Sequence, residues 1–263
     1  MSITGGGEVS EGDAASFTVS IDQVADSDVT VTLSFNAGDT DASDIAAYEY
    51  YDSTSSTWVA VPASGEVTIA AGSSSVAVRV VSADDSVYEG DESFSVSITG
   101  ASGADASVST TANSASATIT DDGSVTPPGP GGTADDDRPS VSSISSSEVA
   151  EGETATFDVT LSNASTTDTK VTLTLSGDSA TRDVDFNGTS VSVIINGVSK
   201  PVSVNDDGTF IVDVPANTTT FSVSVETKDD EVYEGSETFT LSGYTESQTS
   251  ANEVTGTATI TDD

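Results

Sequence analysis

Three landmarks recur in the same order along the 263-residue chain, and a repeat of this kind restricts the architecture more than any local propensity does. Glu8-Val9-Ser10-Glu11-Gly12-Asp13 returns as Glu148-Val149-Ala150-Glu151-Gly152-Glu153. The acidic stretch Asp84-Asp85-Ser86-Val87-Tyr88-Glu89-Gly90-Asp91-Glu92 returns as Asp229-Asp230-Glu231-Val232-Tyr233-Glu234-Gly235-Ser236-Glu237. Ala117-Thr118-Ile119-Thr120-Asp121-Asp122 returns as Ala258-Thr259-Ile260-Thr261-Asp262-Asp263. The offset is 140 at Glu11 to Glu151, 145 at Asp84 to Asp229 and 141 at Asp121 to Asp262, so length varies only in the loops between landmarks. Each block is long enough to bury a core of its own.

Within each block the apolar residues alternate with Ser and Thr, and no helical period is sustained. Phe94, Val96 and Ile98 follow the first acidic stretch at strand spacing, as Phe239 and Leu241 follow the second. The first copy reads as short strands over 16–21, 29–35, 48–51, 58–61, 66–69, 76–81, 93–98 and 115–119; the second as strands over 156–161, 170–175, 190–195, 201–204, 209–214, 221–225, 238–241 and 256–260. Asn196-Gly197 and Asp207-Gly208 have the residue types of two-residue hairpin turns, since both supply positive φ cheaply. Many short strands with frequent turn signals imply an all-β fold: two tandem immunoglobulin-like antiparallel β-sandwiches. The expected divisions are sandwich 1 over residues 1–122, a Pro/Gly/Asp-rich linker over 123–139, and sandwich 2 over 140–263. The linker contains Pro127-Pro128-Gly129-Pro130-Gly131-Gly132, where no strand fits and a semi-flexible tether is expected.

Six basic residues stand against 44 acidic ones, a formal net charge of −38 with no histidine. A field of that sign repels nucleic acid and anionic lipid, attracts cations and keeps a chain soluble. Cysteine is absent, so neither disulfides nor soft-metal thiolate sites are available. The N-terminus lacks the basic and apolar regions of a signal peptide, and no long apolar run suits a membrane span. We therefore expect no membrane insertion, and an internal piece of a larger exported protein.

Five carboxylates within each nine-residue stretch, four of them at shared positions, repel one another unless a cation sits between them, and only one lysine falls among residues 227–238. Calcium suits such a site, because it takes six to eight oxygen ligands in flexible geometry from several chain segments. Magnesium demands a stricter octahedron and keeps its waters. The landmarks also carry a family resemblance: Val-x-Glu-Gly near the start, Asp-Asp-x-Val-Tyr-Glu-Gly-x-Glu in the middle and Ala-Thr-Ile-Thr-Asp-Asp at the end resemble the Calx-beta domain. The resemblance covers both copies nearly end to end and implies calcium held at one end of an immunoglobulin-like sandwich. Carried over by position, it implies ligands in the first copy at Glu11, Asp44, Asp84, Asp85, the Val87 carbonyl, Glu89, Glu92, Asp121 and Asp122. In the second copy it implies Glu151, Asp185, Asp229, Asp230, the Val232 carbonyl, Glu234, Glu237, Asp262 and Asp263. The second copy keeps the family's Asp-aromatic pair as Asp185-Phe186, whereas the first has Asp44-Ile45. Eight carboxylates per copy suggest roughly two to four ions in each.

The same resemblance extends to the tandem repeats of giant repeats-in-toxin adhesins of bacterial surfaces. It implies a non-catalytic, calcium-stiffened spacer or adhesion module, extracellular, monomeric, with neighbouring repeats of the same polypeptide as its partners. Two alternatives stay open. The aromatic group Tyr48, Tyr50, Tyr51 and Trp58 suits a tip that grips a glycan or peptide, and the Calx-beta module is also found in calcium-sensing exchanger loops. Enzyme activity is not expected: no histidine serves as general base, no cysteine as nucleophile, and no Gly-Lys-Ser/Thr loop as phosphate cradle.

Overall fold

A computed structural model describes residues 1–104, 106–125, 135–248 and 250–262. The central part of the expected linker, residues 126–134, lies outside the described residues. The described chain groups into two units: Met1–Asp85 with Glu89–Asp136, and Ser86–Tyr88 with Asp137–Asp263.

Unit 1 is a pair of five-stranded sheets. One runs, in spatial order, Ser2–Gly5, Ala14–Ser20, Ser75–Ser82, Ile45–Asp52 and Thr57–Ala60; the other Gly7–Ser10, Ser114–Thr120, Glu92–Ser102, Val29–Asn36 and Glu66–Ile69. Pairing is antiparallel except between Gly7–Ser10 and Ser114–Thr120, which run parallel. Alternate residues face inward: Phe17, Val19, Val31, Leu33, Val78, Val80, Phe94, Val96, Ile98 and Ile119 are all buried in one cluster. Each such side chain removed from water contributes about 1.5–3 kcal/mol, which is what holds two Ser/Thr-rich sheets face to face.

Unit 2 repeats the plan. Its sheets run Val141–Ile144, Thr154–Leu161, Thr220–Glu226, Ser190–Ile195, Val198–Ser203 and Ser147–Ala150, Val254–Thr261, Glu237–Thr245, Thr169–Gly177, Thr209–Val214. Again only the Ser147–Ala150 pairing with Val254–Thr261 is parallel within these two sheets. Phe157, Leu173, Leu175, Phe186, Phe239, Leu241 and Ile260 lie in its core. Val87–Tyr88 pairs in parallel with Ala164–Ser165 inside this unit.

The all-β reading stands, and no α-helix occurs among the described residues. One of the two expected hairpin turns needs correction. Asn196 and Gly197, at φ 51° and 77°, close the expected hairpin between Ser190–Ile195 and Val198–Ser203. Asp207-Gly208, however, joins Val198–Ser203 to Thr209–Val214, which belong to different sheets. Only Gly208 has positive φ there, at 86°, and the Asp207 carboxylate accepts the Thr209 amide instead, 3.0 Å away. The turn is thus an arch between layers, built on an Asp-turn. The four-residue strands Ser2–Gly5, Gly7–Ser10, Val141–Ile144 and Ser147–Ala150 had no expectation in sequence, because each is too short to show an alternation.

Candidate metal centre

The sheet register gathers the landmarks at one end of each unit. In unit 1 the closing strand and its parallel neighbour pair Val9 with Ile119 and Ser10 with Thr120, and Glu92 stands opposite Ile119 on the other side. The chain then turns: the Glu11 amide donates to the Thr120 carbonyl at 2.9 Å, and the Gly12 amide to the Ala83 carbonyl at 3.0 Å. Gly12 sits at φ 79°, and a Cβ there would lie 3.2 Å from that of Asp84, so glycine serves both the turn and the approach of the acidic stretch. Asp44 leads its strand from the opposite sheet, and its carbonyl accepts the Ala83 amide at 2.7 Å. Glu11, Asp44, Glu92 and Asp121 are therefore brought to this end by backbone pairing of the segments that carry them.

Carboxylate oxygens of Asp44, Glu89 and Glu92 lie within 4.8 Å of one another. With Glu11 and Asp121 these side chains line a gap of about 10 Å³, the space of one water-sized sphere. Asp44 and Asp121 are only 6% and 2% exposed. Asp44 accepts the Asp41 amide and the Ser43 hydroxyl, the latter at 3.2 Å. Asp121 Oδ2 accepts the Glu89 amide at 2.8 Å, whereas its Oδ1 is buried with no partner. Burial, and then the crowding of like charges, raises these carboxyls. Burial, then the hydrogen bond and charge of Asp44, push Glu92 up to about 8. Burial raises Asp121 to about 6, against the Glu89 amide, which lowers it. Glu89 is raised by burial and then by Asp44.

Unit 2 builds the same arrangement from the second set of landmarks. Glu237 stands opposite Ile260, the Glu151 amide donates to the Thr261 carbonyl at 3.1 Å, and the Lys228 amide to the Asp185 carbonyl at 2.8 Å. Oxygens of Asp185, Glu234 and Glu237 lie within 4.8 Å of one another. Asp262 Oδ2 accepts the amides of Glu234 and Gly235, the second at 3.0 Å, as Asp121 Oδ2 accepts that of Glu89. Asp185 is 6% exposed, and beneath it Phe186 stacks on Phe239 with centroids 4.5 Å apart. Desolvation and then Asp185 raise Glu237 to about 7, and Glu234 is raised by the same two causes in the same order. Glu151 is raised by desolvation, then Asp262 and Asp230. The one lysine of the second acidic stretch points its ammonium at the Asp183 carbonyl, not at this group.

Not every expected ligand joins the clusters. Asp84, Asp85, Asp229 and Asp230 are exposed on the rims. Asp230 turns back to accept the Val232 amide at 2.6 Å, and Val232 is 58% exposed. Val87 falls in the Ser86–Tyr88 segment that groups with unit 2. Asp122 accepts the Ser124 amide at 2.8 Å and lies beside Asp136 in an isolated β-bridge. Asp263 lies outside the described residues. Asp44, which lacks the aromatic successor of Asp185, occupies the equivalent place, with Ile45 packed partly against the core where Phe186 is fully buried.

One carboxylate was not anticipated. Asp135, assigned by sequence to the linker, belongs to unit 1, and one of its oxygens lies within 4.8 Å of one of Glu11. Nothing in the sequence distinguished it from its neighbours in the run Asp135-Asp136-Asp137.

The donor set is all hard oxygen, with a buried, unpartnered carboxylate oxygen at Asp121, and it fits calcium. A model of the Calx-beta domain matches residues 7–123, 135–205 and 209–263. The chain belongs to the Calx-beta family. Similar solved structures include the apo-form Calx CBD1 domain, at 18% identity over 46% of this chain and 95% of that one, with a TM-score of 0.34. The calcium binding domain CBD12 of CALX1.1 is 13% identical over 99% of this chain and 100% of that one, at a TM-score of 0.36. CBD12 from CALX1.2 is 14% identical over 92% and 79%, at 0.35. No curated protein matches.

Proposed function

We propose that this Calx-beta chain is a non-catalytic calcium-binding module of a large secreted bacterial surface protein, a spacer or adhesion segment in which calcium clamps one end of each sandwich. The carrying observation is the duplicated convergence of Asp44, Glu89 and Glu92 in one unit and Asp185, Glu234 and Glu237 in the other. Carboxyls raised by burial and by one another favour a cation in their midst, because ion binding removes the repulsion and restores the charged form. Asp44, Glu92, Asp121 and Glu11, with Glu89, hold the ion in the first sandwich; Asp185, Glu237, Asp262, Glu151 and Glu234 in the second. The ion's role is linkage: binding only the folded state, it stabilises by about 2.7 kcal/mol at a hundredfold excess over Kd. Extracellular fluids rich in calcium would thereby stiffen a chain that is looser before export. The acidic surface and the absence of cysteine suit that setting. The glycan-gripping alternative finds less support, since the Arg79 guanidinium lies 4.3 Å over the Trp58 ring, and Tyr51 packs edge-on against it.

Thermal unfolding of the full chain in EDTA, then in stepped calcium, tests the proposal. An upward shift on the order of 10 °C is expected for each sandwich, from about 2.7 kcal/mol spread over a domain of this size. Melting unchanged by millimolar calcium would refute it.

A further inference from the structure

The geometry points to Asp135 as a further calcium ligand of the first sandwich, supplied thirteen positions beyond Asp122, so that this site is complete only with residues 135–136 attached to it. The inference rests on the calcium reading of that sandwich. Two hydrogen bonds fix the Asp135 backbone against the site: its amide donates to Ser10 Oγ at 3.1 Å, and its carbonyl accepts the Gly123 amide at 2.6 Å. Ser10 immediately precedes Glu11, and Gly123 follows Asp122, so both anchors adjoin expected ligands. The Asp122–Asp136 bridge extends the same attachment. Thus held, the Asp135 side chain reaches within 4.8 Å of the Glu11 carboxylate, and its Oδ2 is buried without a partner.

A second observation points to an ion at this end of the sandwich. Asp121 is 2% exposed, lines the gap with Glu11, and leaves Oδ1 buried and unpartnered. An anionic segment therefore docks on an anionic end, with one carboxylate oxygen left bare on each side. Repulsion alone would expel it, whereas a shared divalent cation joins the two sides and satisfies both orphan oxygens. Calcium uptake and attachment of residues 135–136 are then one event.

Calcium titration calorimetry on the full chain compares wild type with Asp135→Asn, with Asp44→Asn, and with Asp26→Asn as an exposed charge control. Hydrogen exchange follows the Asp135 amide. Asp135→Asn should remove one ion or weaken one class of site tenfold or more, with the other ions retained, and Asp26→Asn should match wild type. The amide should be protected by calcium in wild type and lose that protection in Asp135→Asn. Wild-type titration and protection in Asp135→Asn, alongside lost binding in Asp44→Asn, would overturn the ligand role of Asp135 and leave the first site standing. No calcium uptake by wild type would instead overturn the underlying calcium reading.

Discussion

Calcium binding at neutral pH should expel protons, and the number follows from the carboxyls that the two sites crowd together. At pH 7 a group at about 8, such as Glu92, is roughly nine-tenths protonated, and one at about 7, such as Glu237, is half protonated. Asp121, at about 6, contributes roughly a tenth. Ions that require Glu92 and Asp121 in the first site and Glu237 in the second as carboxylates therefore release about 1.5 protons per chain at pH 7. At pH 6 the same three groups give about 2.4, and at pH 8.5 about 0.3. The chain has no histidine, so this window is not clouded by imidazoles. Titration calorimetry in buffers of different ionisation enthalpy, repeated at the three pH values, reads the count directly.

The sign for stability follows from the same groups. A carboxyl raised in the folded, calcium-free chain holds its proton there but not when unfolded, between its ordinary value and the raised one. Folding then takes up protons, so in EDTA stability falls as pH rises from 4.5 through about 7 for Glu237 and about 8 for Glu92. In saturating calcium the dependence reverses, since acid competes with the ion. Calcium binding with no proton release at pH 7 would show that these carboxyls are already ionised, and the repulsion argument for the site would be wrong.

Asp185→Asn keeps an oxygen to accept the Thr181 amide, now 2.5 Å from Oδ2, but removes the charge shared with Glu234 and Glu237. Calcium affinity of the second sandwich should drop on the order of tenfold or more, about 1.4 kcal/mol, with the first unaffected; calorimetry on the full chain resolves the two. Phe239→Ala removes a fully buried ring from between Phe157, at 5.8 Å, and Phe186, at 4.5 Å. It should destabilise the second sandwich by about 3–5 kcal/mol in denaturant titration and loosen the strand that carries Glu237, so that part of the loss returns with calcium.

How far the sequence reached depended on whether a feature repeats. Alternation marked the long strands because Phe94, Val96 and Ile98, or Phe157 and Val159, must all fall on one face. The four-residue strands before Glu11 and Glu151 carry too few apolar residues to alternate, although their backbone ladders are what bring those glutamates to the site. Asp207-Gly208 has hairpin composition, yet composition fixes only a reversal of the chain; which sheet the next strand joins is set by burial of Phe210 and Val212. The carboxylates that converge at the end of each sandwich were legible because two copies share spacing, and that same reliance hid the placement of Asp135 beside Glu11. It lies between the copies and has no counterpart to be aligned with, so no periodicity could select it from three consecutive aspartates. Its place comes from Ser10 and Gly123, whose hydrogen bonds to it cross 125 and 12 positions of sequence. A motif records what both sandwiches need; a residue that serves one sandwich alone is visible only once the chain has folded around it.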